Sequence, residues 1–172
     1  MALCLALVAV AAYAVVPKGN GSSQPSQRQI LAMQSAALQR LRFPSDFVRL
    51  ARGCSTDRCY LVAAPASSVA AIMPGLLRTA GIQPPGALRA AEPIAQLRFS
   101  HWSTASRDPF VIACKTAYTP THTALAICQD AGRVGQTLIN VLVGPYQPCH
   151  TQACSDPSKT EVLAWSAALP NS

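Results

Sequence analysis

Six of the seven cysteines lie beyond residue 53, and their spacing constrains the fold of this chain more than any other feature. They are Cys54, Cys59, Cys114, Cys128, Cys149 and Cys154; the seventh, Cys4, sits in an apolar N-terminal run. An even set is what a disulfide framework requires, although sequence alone leaves the pairing open. Three local bridges fit best. Cys54 and Cys59 enclose Ser-Thr-Asp-Arg, and Cys149 and Cys154 enclose His-Thr-Gln-Ala, both polar and turn-like. Cys114 and Cys128 lie in two β-like runs, Phe110–Tyr118 and Thr123–Asp130, joined by Thr119-Pro120-Thr121-His122. A hairpin centred on Thr121 sets Cys114 directly opposite Cys128, with Cα atoms about 4.5–5.5 Å apart, a separation a disulfide accepts. Two readings compete. The two C-x4-C pairs, with His150 as an alternative, offer the ligands of a zinc site, but the segments lack the Gly-rich turns of zinc knuckles. The thiols can also be free and buried. Bridges are favoured, and no metal and no cofactor are expected.

The location follows from the first residues. Ala2 to Pro17 carry no charge, and Lys18 and Gly19-Asn20-Gly21-Ser22-Ser23 follow as a linker. A bilayer crossing takes about 20 residues, so this run is at the short edge. It fits a minimal anchor or the apolar region of a signal peptide, with Ala12-Tyr13-Ala14 matching the small-x-small cleavage pattern. The alternative is a buried helix of a soluble protein. No Lys or Arg precedes the run, and the Arg excess after it favours a cytoplasmic C-terminal side, a rule that weakens for long translocated domains. The expected organisation is 1–17 membrane anchor or signal peptide, 18–25 linker, and 26–172 disulfide-stapled globular domain. The expected location is the cell membrane with an extracytoplasmic domain, or outside the cell, with residues 2–17 contacting the membrane if they are not cleaved.

Only 12% of residues are charged, against about 25% in a typical soluble domain. Aromatics are 6% and much of the apolar content is Ala, so the core must rest on Leu, Ile and Val. The net charge is nevertheless +7. The densest basic stretch is Arg40, Arg42, Arg49, Arg52 and Arg58, offset by Asp46 and Asp57. It is a candidate contact for an anionic envelope polymer or lipid, and its scattered spacing also fits a solvated helix face and loop. Aromatics do not interleave with these arginines as in a single-strand groove, so nucleic acid is not favoured as a partner.

No catalytic motif emerges. The chain has no G-x-S-x-G elbow and no H-E-x-x-H helix. Gly132-Arg-Val-Gly-Gln-Thr137 lacks the Lys of a phosphate loop and reads as a hairpin turn. His101, beside Trp102, is the least ordinary of the three histidines; His122 and His150 fall in expected turns. No two carboxylates share a local motif.

The segments predict an α+β domain: a mostly antiparallel sheet of about five strands with two helices on one face, preceded by an N-terminal apolar helix. The first domain helix spans Ser26 to Arg42, capped by Ser26, with a short helical turn between Pro44 and Ala51. The second begins at Ala66 with Ser67 or Ser68 as cap, carries Pro74 as a potential kink, and stops at Gly81. Strands are expected at Tyr60–Ala64, Ile94–Trp102, the cysteine hairpin, Thr137–Val143 and Glu161–Ala167, with a turn at Ala131-Gly132-Arg133 and a stop at Gly144-Pro145. The expected role is a non-enzymatic interaction or structural one. The alternatives are a secreted hydrolase or thiol enzyme whose site is assembled from distant residues, and a cytosolic zinc or nucleic-acid-binding module.

Overall fold

Ser26 opens the first helix through a reciprocal pair of bonds. Its hydroxyl accepts from the Gln29 backbone N–H at 3.3 Å, while the Gln29 side-chain oxygen accepts from the Ser26 N–H at 2.7 Å. This capping box satisfies two donors that a helix start leaves open. The computed structural model describes residues 25–50, 58–86, 107–118, 124–147 and 156–169. The apolar segment, most of the linker and the expected strand Ile94–Trp102 lie outside these.

Helix α1 runs Gln27–Arg40 and ends where Leu41 turns extended. The chain then turns at Ser45-Asp46 and enters β1, Val48–Arg49. The short helical turn expected here is therefore a strand, because Val48 and Arg49 pair with Leu61 and Tyr60 and the Leu50 N–H bonds the Cys59 carbonyl. Strand β2 is Arg58–Val62, and helix α2 is Ala66–Thr79. The cap of α2 is Pro65, not Ser67 or Ser68, which stand exposed in its first turn. Proline suits this position, since its missing N–H would have no helical partner. Pro74 is accommodated and buried inside the helix. Gly81, at φ 68°, lets the Ile82 N–H return to the Leu77 carbonyl and close the end.

Four further strands follow: β3 (Val111–Tyr118), β4 (Ala124–Val134), β5 (Thr137–Tyr146) and β6 (Asp156–Ala168). Among the described residues the sheet has six strands, in the order β1-β2-β6-β5-β4-β3, and every neighbouring pair is antiparallel. β1, at the edge, is the one described strand without an expected counterpart. β4 continues through Ala131-Gly132-Arg133, and the turn falls instead at Gly135, whose φ is 57°. β5 likewise passes through Gly144-Pro145. Its pairing with β4 stops at Val143, so the N–H that proline lacks removes no bond to that neighbour.

Residues paired across an antiparallel ladder share a face. Tyr60, Val62, Ile139, Val141, Val143, Val162 and Ala164 thereby fall on one face, and they are buried in one core with Ala37 and Leu38 of α1, Leu41 just beyond it, and Val69, Met73 and Leu77 of α2. Both helices therefore cover the same side. α1 lies over β5 and β6, and α2 over β4, β5 and β6. Among the described residues, no helix is long and apolar enough to cross a membrane.

An arginine-lined candidate functional site

Because α1 packs on β5 and β6, the β1–β2 edge of the same face is left open beside it. Two adjoining depressions of about 450 Å³ each lie there. One runs along α1, with Leu31, Gln34, Ser35 and Gln39 as its wall and Arg49, Arg58 and Ser166 below. The other lies past the end of α1 and is bounded by Arg42, Phe43, Phe47 and Tyr60. Gln39 and Arg58 line both, so the two depressions share a border, and together they are the groove. At 1.5 Å rise per residue, Leu31 to Gln39 alone spans about 12 Å.

The register explains why the arginines meet. Arg49 stands opposite Tyr60, and Arg58 stands opposite Ala164, so Arg49 and Arg58 share the helix-bearing face. Arg42 joins them because α1 ends at Arg40 and the chain folds back toward β1. Arg58 donates from its guanidinium to the Leu41 carbonyl at 3.4 Å, just past the C-terminal end of α1, where a cation is also favoured by the helix dipole. Phe43, half-buried, stacks on Phe47 at 5.3 Å and lies tilted against Tyr60 at 4.3 Å. Among the described residues no carboxylate lines the groove. The ion pairs Arg78–Asp108 and Lys159–Asp156 lie away from the groove.

Of the five arginines singled out in the sequence, Arg42, Arg49 and Arg58 line the groove. Arg40, in the last turn of α1, is exposed but not part of the lining, and Arg52 lies outside the described residues. Of the six cysteines, Cys114 and Cys128 face each other in the β3–β4 ladder, with Cα atoms 4.1 Å apart, and are joined by a disulfide. Cys59 is buried in β2 and disulfide-bonded; Cys54, the partner expected for it, lies outside the described residues, as do Cys149 and Cys154. The three histidines lie outside as well. Among the described residues, no group of three or more His, Cys, Asp or Glu side chains is placed to hold a metal ion.

No protein-family model, curated protein or solved structure matches the chain.

The guanidinium groups of the groove stay protonated and act only as donors. Its Gln and Ser side chains offer neutral hydrogen bonds, and its rings offer an apolar face. Such a lining is chemically suited to an anion, and it contains no nucleophile beside a described base. Sequence reasoning missed the aromatic trio at one end. The signal was present, since Phe43, Phe47 and Tyr60 fall between and beside Arg42, Arg49 and Arg58. Their spacing is irregular, however, and only the β1–β2 pairing draws them together. Sequence reasoning also passed over Asp130, a buried carboxyl in β4, which two strands separate from β2.

Proposed function

We propose that this chain is an extracytoplasmic binding domain, secreted or tethered through residues 2–17, that holds an extended anionic polymer in the groove between α1 and the β1–β2 edge. The role is one of attachment rather than catalysis. The observation that carries this reading is that Arg42, Arg49 and Arg58 line two adjoining depressions beside α1. Scattered arginines on a solvated surface have no reason to share a concavity, and each added cation raises the local attraction for a polyanion. The compartment is supported by the Cys114–Cys128 bridge and by the bridged state of Cys59, because disulfides persist in oxidising environments. The tether rests on the apolar character of residues 2–17.

The test is equilibrium binding of the full chain to labelled dextran sulfate, with uncharged dextran as control, over a range of salt. Binding to the charged polymer alone is expected, weakening as salt screens the contacts. The double variant Arg42→Gln/Arg49→Gln, which leaves Arg58 and its bond to Leu41 intact, is expected to bind about tenfold more weakly or worse. Undiminished binding by this variant would remove the groove as the site.

A further inference from the structure

We infer that the anionic ligand is an acidic polysaccharide, a chain of sugar rings carrying carboxylates; this rests on the anion-binding reading above and specifies its ligand. The reason lies in what accompanies the arginines. Along α1 the wall presents Gln34, Ser35 and Gln39, uncharged groups that donate and accept and so match sugar hydroxyls. Arg42 is exposed in one depression and Arg49 in the other, and the planar guanidinium fork matches a carboxylate with two parallel bonds. Phe43 supplies a half-buried ring, braced from behind by Phe47 and Tyr60, on which the apolar C–H face of a sugar packs. Charge, hydroxyl partners and a ring platform thus line two depressions that share a border.

Other polyanions use this lining less completely. A single-stranded nucleic acid stacks successive bases on successive rings, but Phe47 and Tyr60 are buried, with 6% and 9% exposure, so only Phe43 has open ring surface. An acidic peptide needs the arginines and not the ring. Lipid head groups lie in a plane, whereas the arginines and the aromatic end here border a concave channel.

The experiment compares four probes with the full chain at one ionic strength: oligogalacturonate, polyglutamate of matched charge, oligodeoxythymidylate, and phosphatidylglycerol vesicles. Oligogalacturonate is expected to bind about tenfold more tightly than each of the others. Phe43→Leu keeps apolar volume against Phe47 and Tyr60, and is expected to lower oligogalacturonate affinity more than polyglutamate affinity, bringing the two to parity. Gln39→Ala, at an exposed position, is expected to lower oligogalacturonate affinity alone. Equal binding of all probes, or preference for the oligonucleotide, the peptide or the vesicles, overturns the polysaccharide and leaves anion binding standing. A sugar preference that survives both substitutions also overturns the inference. Failure of every probe to bind overturns the anion-binding reading itself.

Discussion

Asp130 has the most altered chemistry of any described residue. It is 1% exposed, and neither carboxylate oxygen has a hydrogen-bond partner. Burial, reinforced by the nearby charge of Asp108, pushes its carboxyl up to about 7 from 3.8. Asp108 is itself bonded to Arg78 of α2. In the unfolded chain the Asp130 carboxyl is ionised above about pH 4, while the folded chain holds the proton to about pH 7. Stability from this group is therefore fully present below pH 4, declines as pH rises, and is gone above pH 7; the span corresponds to roughly 4 kcal/mol. Asp130→Asn is expected to flatten the stability profile between pH 4 and pH 7 and to make the protein more stable than wild type at pH 8. Urea unfolding midpoints across this range check it, and an unchanged slope would show that Asp130 is not the titrating group.

Two elements give sharp predictions. Helix α1 buries only Ala37 and Leu38, so its first turns lean on the Ser26 capping box more than on packing. Ser26→Ala should cost about 1 kcal/mol and raise amide exchange chiefly at the start of α1. Uniform exchange along α1 would show that packing, not the cap, holds it. In β4, a Cβ placed on Gly132 would lie 2.3 Å from Ile82 Cγ2 and 3.0 Å from the Gln83 carbonyl. Gly132→Ala therefore pushes on the segment after α2, which bonds β4 through Gln83 and Arg133, and should lower stability by about 1–3 kcal/mol, read from the denaturant midpoint. The same contact explains why a turn expected at Ala131-Gly132-Arg133 is a strand: Gly132 serves close packing from across the chain, a requirement invisible to local reading. Features set by neighbours in sequence were legible. The Ser26 cap, the hairpin register at Cys114 and Cys128, and the apolar run from Thr137 all announce themselves within a few residues. β1 did not, because two residues carry no periodicity and the strand exists only by pairing with β2.

At the scale of the whole molecule, the disulfide and the groove occupy opposite edges of one sheet. Cys114–Cys128 joins β3 to β4, whereas the groove opens over β1 and β2. The bridge closes a separation of 14 residues, contributing up to about 3 kcal/mol through restriction of the unfolded chain. The double variant Cys114→Ser/Cys128→Ser should therefore unfold at lower temperature yet bind dextran sulfate as wild type does, a pairing checked by calorimetry and titration on the same sample. Loss of binding in the folded variant would mean the two edges are coupled. The arginine stretch was visible in the sequence as a charge density, but its concavity was not. It depends on where α1 sits across β5 and β6, a placement set by long-range packing of Leu38 and Leu41 against the sheet.

Backbone amide NMR of the full chain titrated with oligogalacturonate tests the groove most directly, because it locates the ligand without altering the protein. Shifts concentrated at Leu31–Gln39, Arg42–Arg49, Arg58–Tyr60 and Ser166, with Asp156–Lys159 and the Asp108–Phe110 turn unmoved, are the expected result. Shifts centred on those last two regions, or no shifts at concentrations that saturate binding in solution, would contradict a binding groove between α1 and the sheet edge.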